Sequence, residues 1–312
     1  MRYQNLGASD LSVSVVGLGC NNFGGRIDMP ATRLVVDAAI DAGITLFDTA
    51  EFYGGGGGSE TFLGELLAGR RDKVVLATKF GYGPYEMPYP QTLGGKGSRS
   101  YIRYAVEQSL TRLRTDRIDL YQLHSPDPAT PIEETLAALD ELVHEGKVRY
   151  YGHSNLDGDQ MRAAAKAAAD NGWTPFVSAQ NEYSLLERAA ERDELPTAAE
   201  LGLGFLPYFP LARGLLTGKV TREGGIPSGT RLAGQSELVT DDRLATVERL
   251  SGWAAEHGRT VLEVAFGALL ATRPIASVIA GATKPEQIHA NVAAGEWLPT
   301  DEQLAEIRAL TD

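Results

Sequence analysis

The chain has 312 residues, 43% of them hydrophobic, and its 29 Lys and Arg against 41 Asp and Glu give a formal net charge of −12. This acidic balance, with no basic block, argues against nucleic acid or an anionic membrane surface as a partner. The single cysteine, Cys20, excludes an intrachain disulfide and a cysteine-cluster metal site. The longest apolar run, 262–271, is about half of the ~18 residues that a membrane span needs, and the polar N-terminus is unlike a signal peptide. We therefore expect a cytoplasmic protein with no metal and no membrane partner.

Eight short apolar runs rich in strand-forming residues alternate with segments of helical spacing. The predicted strands are 13–19, 44–49, 74–80, 118–124, 148–154, 176–183, 203–209 and 276–281. The clearest predicted helices are 32–43, 100–114, 131–146 and 159–172. Apolar strands that alternate with helices predict a parallel sheet buried on both faces, and eight such units predict an α/β fold of the (β/α)8 TIM barrel type. A doubly wound open sheet is the alternative, less favoured because no G-x-G-x-x-G motif opens the first helix.

Three segments fall outside this alternation. Residues 1–12 are typical of a short N-terminal β-hairpin, which would close the bottom of the barrel. Long loops follow the third and seventh predicted strands, at 81–100 and 209–237. Loops of this length are often functional, and barrel enzymes hold their active sites at the C-terminal ends of the strands. No linker is apparent, and we predict a single domain over 1–312.

Four residues of matched chemistry lie at the C-terminal ends of the second, third and fourth predicted strands. Asp48 ends the second strand, Tyr53 follows it, Lys79 is near the end of the third and His124 ends the fourth. A Tyr hydroxyl, with an ordinary pKa of ~10, is a poor acid at neutral pH, and a nearby ammonium paired with a carboxylate would lower that pKa. His124 would donate a hydrogen bond to a carbonyl oxygen that gains negative charge. The set suits reduction of a C=O group, with the hydride supplied by a cofactor.

Eight motifs in order along nearly the whole chain resemble those of the aldo-keto reductase superfamily. They are GLGCNNFGG (17–25), DTAEFYG (48–54), TKF (78–80), LHSPDP (123–128), GHSN (152–155), QNEYSLL (180–186), PYFPLARGLLTGK (207–219) and GATKPEQIHAN (281–291). The resemblance implies a (β/α)8 barrel, a nicotinamide cofactor, usually NADPH, and a small-molecule carbonyl substrate. It also implies a catalytic tetrad in which Tyr53 is the general acid, Asp48 and Lys79 tune it, and His124 orients the substrate carbonyl.

The same resemblance implies an NADP(H) site along the strand ends. Ser154, Asn155 and Gln180 match residues that hydrogen-bond the nicotinamide carboxamide, and Tyr208 matches the aromatic residue that stacks on the nicotinamide ring. Other cofactor-binding candidates at this end are Gly19, Cys20, Asn21 and Asp48. The substrate-binding candidates are Asn22, Tyr53 and His124.

Two later segments match the rest of the cofactor site. The residues that match the pyrophosphate segment are Phe209, Pro210, Leu211, Ala212, Gly214 and Lys219. The residues that match the adenosine pocket are Gly281, Thr283, Lys284, Gln287 and Asn291. The sequence TKPE (283–286) also predicts a capping box at a helix N-terminus, which binds anions, and the charge of Lys284 there favours a 2′-phosphate, hence NADPH.

This chain departs from the family pattern at three of these positions. Phe209 replaces the usual Ser near the pyrophosphate, Gln287 stands where some members carry Arg, and Ala290 stands where some carry Glu. A full Arg grip on the 2′-phosphate is therefore absent, so we expect the preference for NADPH over NADH to be modest.

Other distinctive residues have ordinary structural explanations. The glycine run 54–58 is typical of a turn into a helix that starts near Ser59, because no GK[ST] follows as in a phosphate loop. Cys20 has no activating base beside it in sequence and is expected to be a small packing residue near the cofactor. Packing or helix-surface positions are expected for His144, His153, His257 and His289. A substrate pocket or loop packing is equally compatible with Tyr82, Tyr85 and Tyr89.

We therefore predict an NADPH-dependent reductase of aldehydes or ketones, with Tyr53 as proton donor. A cofactor-sensing regulatory subunit with little turnover is the alternative, because its tetrad can be intact as well. A barrel hydrolase that uses Asp48 with Glu51 or Glu182 is a third hypothesis, which leaves Lys79 unexplained. The short segment after Asn291 favours an open pocket. Neither the particular carbonyl compound nor the number of subunits is encoded in any of these motifs.

Overall fold

The computed structural model describes residues 1–312 and contains the predicted alternation of strands and helices. The strands are β1 (Tyr3–Asn5), β2 (Ser12–Ser14), β3 (Val16–Gly19), β4 (Leu46–Asp48), β5 (Val75–Phe80), β6 (Ile118–Leu123), β7 (Val148–Ser154), β8 (Ser178–Gln180), β9 (Gly204–Phe205) and β10 (Val278–Gly281). The helices are α1 (Met29–Asp41), α2 (Tyr53–Gly56), α3 (Gly58–Leu66), α4 (Arg99–Leu113), α5 (Ile132–His144), α6 (Gly158–Asn171), α7 (Glu194–Glu200), α8 (Asp241–Glu256), α9 (Val261–Leu270), α10 (Pro285–Ala294) and α11 (Asp301–Ala309). No helix combines the length and the apolar character needed to cross a membrane.

Eight parallel strands form one curled sheet in the order β10-β3-β4-β5-β6-β7-β8-β9. Phe205 of β9 closes the ring, because its N–H donates to the carbonyl oxygen of Pro274 at 3.0 Å and its carbonyl oxygen accepts from the N–H of Ala276 at 2.9 Å. The predicted (β/α)8 barrel is confirmed. The sixth and seventh strands are shorter than predicted, since beyond β8 and β9 the chain keeps a single bridge between Glu182 and Tyr208.

The N-terminal hairpin closes one end of the barrel. Its strands β1 and β2 pair antiparallel. Leu6 and Leu11, in and beside the hairpin turn, are buried in the barrel interior with Leu46, Leu120 and Leu206. Because Leu46 is the first residue of β4, this cluster lies toward the N-terminal ends of the strands, and the opposite end is left for a site.

Several helices begin where the sequence supplies a capping side chain. Asp28 accepts a hydrogen bond from the N–H of Ala31 at the start of α1, and Ser98 does the same for α4. Asp157 and Gln160 form a capping box at the start of α6. These side chains satisfy backbone donors that a helix leaves free, which explains why the helices lie close to their predicted bounds.

Strand β6 shows how the sheet directs side chains toward the site. All six of its residues are buried, as expected for a strand covered on both faces. Leu120 packs in the barrel interior, whereas Tyr121 packs in the outer layer between sheet and helices. By this alternation Gln122 also faces the interior, one residue before the end of the strand.

Candidate active site

A cavity of about 990 Å³ opens at the C-terminal ends of the barrel strands. Most of the predicted site residues line it, namely Gly19, Asn21, Asn22, Asp48, Tyr53, His124, Ser154, Asn155, Gln180, Tyr208, Phe209, Pro210, Leu211, Gly214, Lys219, Gly281, Thr283, Gln287 and Asn291. Four others do not line it, namely Cys20, Lys79, Ala212 and Lys284. Of these four, Cys20, Lys79 and Ala212 are buried, whereas Lys284 is exposed on the surface.

A bonded set of four buried side chains lies at and beneath the base of the cavity, and we call this set the cavity floor: Asp48, Lys79, Gln122 and Gln180. Asp48 and Gln180 line the cavity, whereas Lys79 and Gln122 lie behind them. Lys79 donates to Asp48 Oδ2 at 2.6 Å and to the carbonyl oxygen of Thr49 at 2.9 Å. The other carboxylate oxygen, Oδ1, accepts from Gln180 at 3.0 Å and from Gln122 at 3.2 Å. Because both of its carboxylate oxygens are bonded in this way, Asp48 is suited to pair with Lys79 and not to act as a nucleophile.

Lys79 is charged despite its complete burial. Burial opposes the ammonium form, but the charge of Asp48 and its hydrogen bond outweigh that opposition, so the pKa of Lys79 is raised above its ordinary value. The ammonium nitrogen lies 5.2 Å from the centre of the Tyr53 ring. The positive charge therefore sits directly beside the predicted proton donor.

Tyr53 departs from the sequence-based expectation in one respect. Burial raises the pKa of its hydroxyl, and the charge of Lys79 opposes this rise without cancelling it. Lys79 thus acts in the predicted direction, but the net shift is upward because burial contributes more. The hydroxyl consequently carries its proton at neutral pH.

His124 stands across from Tyr53 and is neutral. Burial, and then the charge of Lys79, lowers the pKa of its imidazole well below the ordinary value. Its Nδ1 is buried without a hydrogen-bond partner, which leaves Nε2 as the ring nitrogen that can meet a ligand. The ring lies among aromatic side chains, with centre-to-centre distances of 4.8 Å to Tyr82 and 5.3 Å to Phe52. A neutral imidazole in this position can donate one N–H hydrogen bond.

The predicted nicotinamide-binding residues form a second hydrogen-bonded group beside the cavity floor. Ser154 donates to the carbonyl oxygen of Gln180 at 2.7 Å, and Asn155 donates to that of His124 at 2.9 Å. The Tyr208 hydroxyl donates to Asn155 Oδ1 at 2.9 Å, which anchors the tip of the Tyr208 side chain. Asn155 has a φ of 63°, a left-handed conformation that Asn tolerates better than most residues.

The cavity fits the chemistry of a nicotinamide dinucleotide. The Gln180 amide nitrogen is engaged by Asp48, so its Oε1 is the acceptor left for a carboxamide. Gly19 of β3 and Gly281 of β10 are paired in register, and both line the cavity. A Cβ on Gly281 would lie 3.1 Å from Asn22 Nδ2, so the absence of side chains keeps this part of the cavity open.

Three arginines also line the cavity and were missed by the sequence analysis. Arg231 donates to the side-chain oxygens of Asn21 at 3.0 Å and Asn22 at 3.1 Å, and Arg26 donates to the carbonyl oxygen of Gly229. Together these contacts join the loop after β9 to the loop after β3. The third arginine, Arg213, lies inside the predicted pyrophosphate segment, between Ala212 and Gly214. The resulting positive charge is suited to a pyrophosphate.

Phe209 lies between two of these arginines. The guanidinium carbons of Arg213 and Arg231 are 3.9 Å and 5.4 Å from the centre of its ring. Burial, and then repulsion from Arg26 and Arg213, lowers the pKa of Arg231. Such crowding of like charges is relieved when an anion binds between them. The aromatic ring that replaces the usual hydroxyl therefore lies close to two cations of the cavity.

The predicted capping box at 283–286 is displaced by one residue. Lys284, not Thr283, is the N-cap of α10. The bonding side chain is Gln287, whose Oε1 accepts from the N–H of Thr283 at 2.7 Å and from that of Lys284 at 3.2 Å. The predicted partner Glu286 is exposed on the helix surface. Gln287 and Asn291 line the cavity, whereas the exposed Lys284 does not, and its contact with a 2′-phosphate stays a prediction.

The glycine run is a tight turn into α3, as predicted. Gly54 to Gly57 all have positive φ, from 72° to 105°. A Cβ on Gly54 would lie 2.6 Å from the carbonyl oxygen of Phe23, and one on Gly57 would lie 2.4 Å from Arg112 Cδ. Left-handed backbone and close approach together explain why glycine occupies these positions.

The tyrosines of the loop after β5 divide between two roles. Tyr82 and Tyr85 line the cavity and pack on Phe52, whereas Tyr89 packs on Tyr101 outside it. His153 lies fully buried against Phe176, outside the cavity, in a packing position as predicted. Burial lowers the pKa of His153 to about 3.

The sequence analysis missed Gln122 and Phe52 as well as the arginines. Gln122 carried a usable signal, since it is an amide inside an apolar strand two residues before His124, on the same face. Phe52 lies directly before Tyr53 and stacks on Tyr82 with ring centres 4.5 Å apart. Nothing local in the sequence marks that contact.

Fold and site together define a (β/α)8 barrel with a polar cavity at the C-terminal ends of its strands, and comparison with known proteins gives the family. A sequence model of the aldo/keto reductase family matches residues 15–312, and the chain belongs to this family. Members of the family generally use nicotinamide cofactors. The matched region includes every predicted site residue.

Three relatives illustrate the range of the family. The chain is 39% identical to the uncharacterized oxidoreductase YrpG of Bacillus subtilis, over 100% of this chain and 95% of that protein. It is 33% identical to an L-glyceraldehyde 3-phosphate reductase of Escherichia coli O157:H7, over 98% of this chain and 91% of that protein. It is 34% identical to a probable voltage-gated potassium channel subunit beta of Oryza sativa, over 99% of this chain and 96% of that protein.

Proposed function

We propose that the protein is an NADPH-dependent reductase that converts the carbonyl group of a small aldehyde or ketone to an alcohol, with Tyr53 as proton donor. The observation that carries the proposal is the position of the buried Lys79, which bonds Asp48 at 2.6 Å and lies 5.2 Å from the Tyr53 ring. An ammonium so placed has a clear role if a phenolate forms next to it.

Tyr53 and His124 have separate parts in the proposed reaction. When bound, the cofactor supplies the hydride that the carbonyl carbon accepts. Tyr53 gives its hydroxyl proton to the carbonyl oxygen, and Lys79 stabilises the phenolate that remains. His124, neutral through burial, donates a hydrogen bond to the same oxygen as negative charge develops there. Asp48 keeps Lys79 charged and oriented.

The chain offers residues for each part of the cofactor. Ser154, Asn155 and Gln180 would hold the carboxamide, and the fixed ring of Tyr208 would hold one face of the nicotinamide. Arg213, Lys219 and Arg231 would meet the pyrophosphate. The adenosine end would meet Thr283, Gln287 and Asn291. The proposed preference for NADPH over NADH follows from the resemblance to the aldo-keto reductases alone, because the pyrophosphate that these cations would meet is common to both cofactors. A cytoplasmic location stays a prediction.

The test follows NADPH absorbance during incubation of the purified protein with a panel of aldehydes, sugars and ketones. We expect oxidation by the wild type and a loss of about 10³-fold or more in Tyr53→Phe, since general acid catalysis contributes roughly 10²–10⁴-fold. Tyr3→Phe is the matched control, because Tyr3 lies on the hairpin, is 51% exposed and bonds only the carbonyl oxygen of Gly43. Full activity in Tyr53→Phe would exclude the proposed proton donor.

A cofactor-sensing subunit is the second candidate function, favoured by the similarity to the channel subunit beta of Oryza sativa over 99% of this chain. The two candidates share cofactor binding and differ in turnover. NADPH binding with no oxidation on any carbonyl of the panel would favour the sensing function.

A further inference from the structure

Stacked aromatic rings line the part of the cavity beside His124, where the substrate carbonyl is proposed to bind. Phe52 and Tyr82 stack with centres 4.5 Å apart and planes 8° apart, and Tyr85 stacks on Phe52 with centres 5.2 Å apart and planes 30° apart. Tyr82 also contacts His124 at 4.8 Å. We call Phe52, Tyr82 and Tyr85 the aromatic wall. Two of its three rings come from the loop between β5 and α4, residues 81–98.

The start of that loop is ordered by one lysine and not by secondary structure. Lys96 donates to the carbonyl oxygens of Tyr82 at 3.0 Å, Gly83 at 2.9 Å and Tyr85 at 2.8 Å. It also reaches the carboxylate of Glu86 at 2.9 Å. An ammonium has three N–H donors, so four convergent acceptors use its full capacity. The lysine side chain is 17% exposed and that of Glu86 is 85% exposed, so the carbonyl contacts are the protected ones.

Lys96 is itself anchored to the strand end that carries His124. The N–H of the next residue, Gly97, donates to Asp127 Oδ2 at 2.7 Å, and its carbonyl oxygen accepts from Thr135 at 2.8 Å. A Cβ on Gly95 would lie 2.6 Å from the same Asp127 oxygen. The close fit of the segment GGKG (94–97) thus places the lysine at a fixed distance from the loop after β6.

We infer that Lys96 is a positioning residue for the carbonyl substrate. Its ammonium gathers three backbone carbonyls and so holds Tyr82 and Tyr85 against Phe52, beside His124. Lys96 does not line the cavity, so it acts through the aromatic wall and not by touching the substrate. The substrate part of this inference rests on the proposed reductase function, whereas the ordering of the loop does not.

The first test is kinetic and uses Lys96→Met, which keeps the length of the side chain and removes its charge. We expect the KM for the carbonyl substrate to rise about tenfold or more and kcat to change by less than about threefold, because the wall binds substrate and transition state alike. The dissociation constant for NADPH should be unchanged. Lys73→Met is the matched control, since Lys73 is an exposed lysine that makes no ion pair.

A second variant separates positioning from general destabilisation. Lys96→Ala leaves the three carbonyl oxygens facing an unfilled position. Propylammonium, which replaces the missing part of the side chain, should lower its KM toward the wild-type value, and sodium chloride at equal ionic strength should not. The inference would be overturned if propylammonium left the KM of Lys96→Ala unchanged. It would also be overturned if both variants had the wild-type KM.

Hydrogen exchange measures how well the loop is ordered, and this measurement does not depend on turnover. Peptides that cover residues 81–90 should exchange faster in Lys96→Met than in the wild type, while those of β5 stay unchanged. A raised KM with unchanged exchange would contradict the proposed route through the loop. If the wild type reduces no carbonyl, the proposed function fails together with the substrate part, and exchange still decides whether Lys96 orders the loop.

Discussion

The cavity floor and the cavity walls are held in place by different kinds of contact. On the floor, Asp48, Lys79 and Gln180 come from three strands of one closed sheet and are buried, and Asp48 bonds the other two at 2.6 Å and 3.0 Å. In the walls, single long side chains from loops reach back to distant backbone or side chains, as Lys96 does to Tyr82. The floor is therefore specified by strand register, whereas each wall depends on a few individual residues.

This difference has a functional consequence. A floor whose polar atoms bond each other tolerates little change, because removing one partner leaves another buried and unpaired. A wall held by one lysine or arginine can change without disturbing the barrel. We therefore expect floor substitutions to affect the chemical step and wall substitutions to affect binding.

The largest effect should come from removing the positive charge of the cavity floor. In Lys79→Met, Asp48 keeps a buried carboxylate without its cation, and Tyr53 loses the ammonium beside its ring. We expect kcat for carbonyl reduction to fall about 10³-fold, as for removal of a preorganised electrostatic group. Stopped-flow or steady-state absorbance of NADPH measures this fall.

Stability must be checked in the same variant. Loss of one partner of a buried ion pair costs about 3–5 kcal/mol, so urea denaturation should show a lower free energy of unfolding for Lys79→Met. Turnover is then compared only where circular dichroism shows the variant folded. A folded Lys79→Met with kcat within tenfold of the wild type would contradict the role of the floor.

A smaller effect should appear where floor and wall meet, at Glu51. This buried carboxylate accepts from the N–H of Gly81 at 2.7 Å and from the hydroxyl of Tyr101 at 3.0 Å, and its other oxygen has no partner. Burial raises the pKa of Glu51 to about 7, and the hydrogen bonds from Gly81 and Tyr101 oppose this rise without cancelling it. The folded protein therefore keeps this proton at pH values where the unfolded chain, with a pKa of 4.5, has lost it.

The sign of the resulting pH dependence is fixed. Because the folded-state pKa is raised, the stabilising contribution of Glu51 is complete below pH 4.5 and is lost as the pH rises through about 7. The stabilising contribution of Glu51 that is lost over this pH range is about 3 kcal/mol. Relative to the wild type, Glu51→Gln should gain stability by that order between pH 5 and pH 8, measured by urea denaturation at each pH. Parallel pH profiles for the two proteins would show that Glu51 does not titrate as described.

The smallest of these effects should come from the other wall. Arg231→Met removes the contacts to Asn21 and Asn22 and one cation of the cavity. We expect the dissociation constant for NADPH to rise about tenfold, with kcat at saturating cofactor little changed, because a charge-assisted contact contributes roughly 1.5–3 kcal/mol at most. Fluorescence titration measures it. Arg222→Met, on the same loop but paired with Asp241 at the surface, is the control, and equal constants for the two variants would remove Arg231 from the cofactor site.

The same difference between floor and walls determines what the sequence could predict. Asp48, Lys79 and His124 end apolar strands, so the barrel alone brings them to one rim, and alternation along a strand even placed His153 outside it. Gln122 could have been found by the same rule. Its amide interrupts an apolar strand on the inward face.

The wall residues carry no comparable local signal. Arg231 bonds Asn21 across 210 positions of sequence, and the loops that bring them together have no periodic pattern. Lys284 shows the reverse case, since its place beside a helix N-terminus suggested an anion site, yet its side chain is exposed outside the cavity. The net rise in the pKa of Tyr53 was equally hidden, because burial is a property of the folded chain.

The most direct test of the central claim measures cofactor binding and turnover in one variant. Tyr53→Phe removes only the hydroxyl and keeps the ring beside Lys79. If Tyr53 is the proton donor, the variant binds NADPH with the wild-type dissociation constant while its single-turnover oxidation of NADPH by a carbonyl falls about 10³-fold or more. Single-turnover oxidation at the wild-type rate, with cofactor fully bound, would show that the proton comes from another group.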